Sequence, residues 1–330
     1  MFNKFLIKNS INLASPVLGT KIYIYSDQFF APASRMLSDN EPIFKEGVFD
    51  NHGKWMDGWE TRRKRVAGND FVIIKLGKPG KIEDVLIDTS FFNGNQPEFA
   101  TIEGCYSLNK SLKKISWTKI LKKKKLYPNK KHFFKSTSIK TFNFIRLNIF
   151  PDGGIARLRL MGNIDLSKEK LPNNNFDLAS ILNGSKIIAC SDEHFGKAEN
   201  LLAPGKSKNM GNGWETKRRR GSGYDWVILK LGRKGLVSYF EINTHHFKGN
   251  YPSHFSIQTS SSQGASSIKK IIFESIKWKT IIKEVKLKPD ATLIVKNKFI
   301  LAQNIHFIRL NIFPDGGISR FRVYGKVQSA

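Results

Sequence analysis

Two runs in this chain set a tryptophan, a carboxylate and a basic cluster side by side: Gly58-Trp59-Glu60-Thr61-Arg62-Arg63-Lys64-Arg65 and Gly213-Trp214-Glu215-Thr216-Lys217-Arg218-Arg219-Arg220. Paired guanidinium groups grip a carboxylate in bidentate fashion, and a neighbouring carboxylate can accept urea-type N–H groups or a proton. These runs therefore read as candidate anion sites. The bland alternative is structural: Trp59 and Trp214 anchor a loop, while Glu and Arg pair with each other or with Asp70 and Asp225. For one copy taken alone, the structural reading is the better one.

Other polar signals also recur. Pro151-Asp152-Gly153-Gly154 and its counterpart with Asp315 are first of all turns, because Asp in such a place caps backbone more often than it catalyses. Arg146 and Asn148, like Arg309 and Asn311, share one face of the strand before that turn; such a face lines a pocket or meets water. A Phe-x-Gly-Asn loop ends at Asn95 and again at Asn250, preceded by Ser90-Phe91 in the first copy and by His245-His246 in the second. Adjacent histidines on a strand point to opposite faces and cannot chelate one metal together. No repeated His/Cys cluster supports zinc, and no nucleotide loop, nucleophile elbow or triad context appears.

Those signals recur because the chain is a tandem duplication. FIRLNIFPDGGI stands at Phe144–Ile155 and again at Phe307–Ile318, and Asp70–Gly77 answers Asp225–Gly232. Each copy is the size of an ordinary domain and can bury its own core. The boundaries read as 1–163 for the first repeat, 164–176 for a polar linker and 177–330 for the second. Ile145, Leu147 and Ile149 alternate with Arg146 and Asn148, a period of two. The Pro-Asp-Gly-Gly turn then predicts a β-hairpin returning through Ala156, Leu158 and Leu160, with Arg157 and Arg159 on its other side. Phe71–Gly77 and Val85–Asp88 read as two further strands separated by a Gly/Pro turn. The expected fold class is all-β, two tandem jelly-roll β-sandwiches; the order of signals resembles the galactose-binding-like jelly roll, an analogy of architecture that assigns no ligand.

The formal charge is +28, from 55 Lys and Arg against 27 Asp and Glu. A polyanion partner is one explanation. Compositional drift is the better one, because the lysines are scattered and the densest run, Lys122–Lys125, occurs in one copy only. Cys105 and Cys190 stand at non-equivalent places and give neither a disulfide framework nor metal spacing, which suits a reducing compartment. Met1–Leu6 lacks the pattern of a signal peptide, and no apolar run is long enough to span a bilayer. A soluble, cytoplasmic protein is the expectation.

The set DGWETRRKR, DFVIIKLG, FFNGN and FIRLNIFPDGGIARLRLMG in the first half resembles the allantoicase family. SDEHFGKAENLLAPG, MGNGWETKRRR, YDWVILKLG, HHFKGNYP and FIRLNIFPDGGISRFRVYG extend the likeness through the second, from about Asn12 to Gly325. The resemblance implies two galactose-binding-like jelly rolls and a hydrolase of linear amidine-type C–N bonds, cleaving allantoate to ureidoglycolate and urea in purine breakdown. Such a site needs a carboxylate clamp, hydrogen bonds to ureido groups and an acid/base pair. Chemistry and duplication favour the second repeat, the choice of copy staying open: Glu215 and His246 for protons, with Arg218, Arg219, Asn250, Arg309 and Asp225 for binding. The first-repeat equivalents are Glu60, Arg62, Arg63, Asp70, Asn95 and Arg146. No metal ligands and no cofactor are expected, although a divalent metal stays open. The expected partner is the small molecule allantoate, with no nucleic acid and no membrane; a homo-oligomer stays open. The competing reading is a non-catalytic tandem module for glycans or anionic ligands.

Overall fold

The computed structural model describes residues 6–108, 112, 115–170, 174–261, 267–296 and 304–327. The first five residues of the N-terminal segment, Leu171–Asn173 of the linker and the last three residues lie outside them. The chain forms two compact units, Ile11–Lys168 and a second made of Met1–Ser10 with Glu169–Ala330. This differs from the sequence reading at one end: Leu6–Asn9 pack with the second repeat. The reason is local, since Leu6–Ile7 forms an antiparallel pair with Cys190 and Ala189. The linker is partly structured, with strand Arg157–Ile164 running into it and a short 3-10 turn at Leu166–Lys168.

Both units are mostly β and organised around one long strand. In the second unit this is Asp225–Asn243. Its first part pairs with Lys186–Cys190 on one side and Asn304–Phe313 on the other; its last part pairs with Thr292–Val295 and Arg320–Val327. One strand thus serves two layers. Val227, Leu229, Leu231, Val237, Phe240 and Ile242 from its length share a single buried core with Leu310, Phe321 and Val323. In the first unit Asp70–Asp88 does the same, pairing first with Lys21–Tyr25 and Thr141–Phe150, then with Lys131–Lys135 and Arg157–Ile164. Each inward Leu, Ile or Phe so buried contributes about 1.5–3 kcal/mol relative to exposure, so the alternation dictates which face turns inward.

Two expectations are corrected here. The Gly77–Gly80 segment does not turn between two strands; the chain continues extended and passes from one layer to the other. Glycine is required at the crossing because a side chain at Gly77 would strike the Leu18 carbonyl at 1.9 Å, and one at Gly232 the Asn183 carbonyl at 2.0 Å. Nor does Pro-Asp-Gly-Gly close a hairpin. The flanking strands Thr141–Phe150 and Arg157–Ile164 lie on different parts of the long strand, and Gly154–Ile155 pairs instead with Glu60–Trp59. The turn residues are drawn into hydrogen bonds with another loop, which holds the segment open.

Lys122–Lys125 ends the strand Thr118–Lys125, last in its sheet and exposed at those four positions. Lysines on an edge strand keep it from pairing with another chain. The single described α-helix, Ile268–Ser275, belongs to the second unit, and no helix among the described residues is long and apolar enough to cross a membrane.

Candidate active site

The three repeated loop motifs meet at one end of each unit. In the second, Trp214 is fully buried and donates its indole N–H to the Asp192 carbonyl at 2.8 Å. Trp214 and Glu215 pair with Ile318 and Gly317. Thr216 exchanges bonds with Gly316, and Asp315 accepts the Arg219 backbone N–H at 2.8 Å. The Phe-x-Gly-Asn loop closes against the same place: Gly317 donates to the Asn250 carbonyl, and a side chain at Gly317 would overlap the buried Phe247 ring. Sequence conservation between the repeats therefore reflects one interlocked knot of loops.

A cleft of about 660 Å³ opens beside this knot in the second unit. Glu215, Arg218, Arg220, Asn250, Lys286 and Asp315 supply its polar lining, and Phe195 and Tyr251 its rings. Asn250 donates to Glu215 Oε1 at 2.5 Å, which fixes the carboxylate in orientation. The side chains of Arg218, Arg220 and Lys286 have no hydrogen-bond or ion-pair partner among the described residues. Three unpartnered cations around one oriented carboxylate can bind a small anion and exchange a proton with it.

Several predicted residues lie elsewhere. Arg219 donates to Asp225 at 2.5 Å, and Asp225, 1% exposed, also accepts from Ser191; the two form a loop-fixing pair beneath the cleft, not a substrate clamp. Asn250 does line the cleft, but its amide donates to Glu215 there. His246 does not line the cleft. It occupies a left-handed turn position, φ 73°, its backbone N–H bonds Asp290, and its Nε2 lies 3.0 Å from the Ser207 carbonyl. Arg309 is buried against the Trp226 ring and bonds Asn311 and Ser275, far into the sheet packing. Of the second-repeat set, the structure brings Glu215, Arg218 and Asn250 together.

The first repeat copies the knot. Asn95 donates to Glu60 at 2.8 Å, and burial pushes the Glu60 carboxyl up from its ordinary value, offset in part by that bond. Arg62 is committed to Asp27, Lys64 to Asp70, and Arg146 to Glu103 beneath the Trp117 ring. Arg63 is exposed and without a partner among the described residues.

Sequence reasoning passed over Arg220, Asp315, Lys286, Tyr251 and Phe195. Arg220 and Asp315 sit inside quoted motifs and could have been chosen; Lys286 ends a strand with no motif around it. The arginines after Pro-Asp-Gly-Gly were legible only as a basic strand side. Arg320 bonds the Gly205 and Asn212 carbonyls, and Arg322 bonds Ala203, Gly205 and Asp177, so they staple the loops behind the knot. Burial, together with Arg322, lowers the Arg320 pKa to about 10. Among the described residues no three His, Cys, Asp or Glu side chains converge as metal ligands would.

Comparison with known proteins adds a second line. The Allantoicase repeat model matches residues 11–165 and 176–328. The chain is 46% identical over 322 residues to a probable allantoicase of Acinetobacter baumannii, covering 98% of this chain and 95% of that one. It is 44% identical to a probable allantoicase of Pseudomonas aeruginosa, with 97% of each covered. The crystal structure of Saccharomyces cerevisiae allantoicase superposes with a TM-score of 0.81 at 32% identity, covering 96% of this chain and 93% of that one.

Proposed function

The chain belongs to the allantoicase family, and from that premise we propose that it hydrolyses allantoate to ureidoglycolate and urea in the cleft of its second repeat. The carrying observation is the set of unpartnered cations, Arg218, Arg220 and Lys286, around a carboxylate that Asn250 holds in place. Allantoate presents what such a cleft can grip: one carboxylate and two ureido groups on a single carbon. Arg218 and Arg220 take the carboxylate, with Lys286 adding charge at the rim. Glu215 handles protons. It accepts one from the attacking water as the water oxygen bonds to the central carbon, and returns it to the ureido nitrogen as the C–N bond breaks and urea departs. Asp315 and Asn250 act by positioning, since both are engaged with the loops.

The enzyme works on a small molecule, and Cys105 and Cys190, both free and buried, suit the cytoplasm we assign to it. Incubating the purified, chelator-treated chain with allantoate, and assaying urea and ureidoglycolate, tests the reading. Equimolar release of the two is expected, with none from allantoin or arginine. Folded protein that releases no urea, with or without added divalent metal, would overturn it.

A further inference from the structure

A residue from outside the second repeat anchors a loop beside its cleft. Lys8 follows the strand Leu6–Ile7, and the backbone N–H groups of Lys8 and Asn9 bond the Ile188 and Ile187 carbonyls. This places the Lys8 ammonium 2.9 Å from Glu193 and 2.8 Å from Glu199, with only 18% of its side chain exposed. Burial works against that charge, but Glu199 and Glu193 outweigh it and hold the ammonium above its ordinary pKa.

The two glutamates bracket the loop that builds one wall of the cleft. Glu193 Oε2 accepts the Ala198 N–H at 3.0 Å. Between them, Phe195 and Gly196 donate to the Glu215 carbonyl, and Glu215 donates back to Gly196. Phe195 itself lines the cleft. The first repeat has the same loop and the same backbone bonds, Phe30 and Ala31 to Glu60 and back. There, however, neutral Gln28 accepts the Ala33 N–H in place of Glu193, and Ser34 stands where Glu199 does. The acidic pair and its lysine therefore belong to the second cleft only.

We infer that Lys8 is a positioning residue of the second-repeat site, neutralising Glu193 and Glu199 so that the 193–199 loop keeps Phe195 and Glu215 in register. Without it, two partly buried carboxylates face each other across the loop they hold. The inference rests on the assignment of the reaction to this cleft, and the experiment separates the two.

Hydrogen exchange on the full chain reads the loop directly. In Lys8→Met, the amides of Phe195, Gly196 and Glu215 exchange roughly tenfold faster or more, because the opening of a local unit tracks the interactions that close it. The matching amides of Phe30, Ala31 and Glu60 keep wild-type rates. Lys8→Arg retains protection, and the triple change Lys8→Met, Glu193→Gln, Glu199→Gln restores it by removing the charge conflict. Wild-type exchange in Lys8→Met, or acceleration spread evenly through the second unit, overturns the inference. If Lys8→Met does not fold, the triple variant decides: folded with protected amides it upholds charge neutralisation, and unfolded it overturns it. Turnover of allantoate falls severalfold in Lys8→Met. Raised exchange with unchanged turnover upholds the clamp and overturns instead the placing of the reaction in this cleft.

Discussion

The two repeats carry the same knot of loops, yet the cleft lined by Glu215 and Arg218 lies in the second, and four positions set its surroundings apart from those of the first. Ser253 at the second cleft is Glu98 in the first repeat, a carboxylate that would repel the substrate. Tyr251 is answered by Gln96, whose side chain turns back to accept the Gly94 N–H at 2.8 Å. The Lys286 ammonium is without a partner among the described residues, whereas that of its counterpart Lys125 lies over the Tyr127 ring, 5.6 Å from its centre. Phe195 sits on a loop held by Lys8, and Phe30 on one that is not. Duplication preserved the scaffold, which both copies need to fold, and left the lining free to diverge.

The glutamates give the strongest way to break this contrast. Glu215→Gln is expected to lower kcat roughly 10²–10⁴-fold, the usual loss on removing an acid or base, while Glu60→Gln stays within about threefold of wild type. The control is clean in stability too. Burial raises the folded-state pKa of Glu60, so the contribution of this group is fully present below its ordinary value of 4.5 and is lost as pH rises through the raised one. An uncharged glutamine at neutral pH avoids that loss and still accepts from Asn95. Steady-state kinetics on folded variants decide: if Glu60→Gln loses turnover and Glu215→Gln does not, the chemistry lies in the first repeat.

The lining differences predict a smaller, binding-type effect. Arg218→Ala raises KM roughly 10–100-fold with kcat less affected, as loss of a carboxylate clamp does, and Arg63→Ala leaves both unchanged. Copying the first repeat's acid into the second sharpens the point. Ser253→Glu raises KM about tenfold and the increase shrinks in high salt, because it adds a like charge a few ångströms from the bound carboxylate. Glu98→Ser does nothing to kinetics. A KM for Ser253→Glu equal to wild type would remove charge as the reason the first copy is silent.

Much of this was readable in the residues. Period-two alternation in Ile145–Ile149 and its twin marked the strands, and duplication marked the motifs that meet in space. What misled was chemistry with two uses. The Gly/Pro pattern at Gly77–Gly80 reads as a turn but serves a close backbone approach to Leu18, a contact between segments far apart in sequence. Arg219 and Arg218 are neighbours of the same type, and only the buried carboxylate of Asp225 decides that one pairs below while the other reaches the cleft. His246 drew attention as a break in symmetry, yet Phe91 holds the same left-handed turn position, φ 69°, so the position is set by the turn. Lys286 and Lys8 carried no local signal, since each reaches the site through strand pairing alone.

The finest contrast concerns acid. His132 in the first repeat stands where the second has Leu293, as their pairing with the equivalent long strands shows. It is 7% exposed, stacked between Tyr127 and Phe134, and accepts the Tyr127 N–H at Nε2 while Nδ1 lies 3.1 Å from the Ile87 carbonyl. That arrangement requires the neutral ring with its proton on Nδ1. Burial depresses its pKa below the ordinary 6.5; the Lys130 charge acts in the same direction, and the backbone bonds to Ile87 and Lys130 and the Asp88 charge oppose it. For a depressed group the stabilising contribution is present above the unfolded-state value and lost as pH falls through the folded one. Protonation would cost the Tyr127 bond, about 1 kcal/mol or roughly 2–4 °C of melting temperature. Thermal melts of the wild type and His132→Leu through the range below pH 6.5 measure it. The variant melts slightly lower at neutral pH, where Tyr127 has lost its acceptor, and declines less steeply with acid. Parallel declines would mean that the acid response of the first repeat does not lie at this ring.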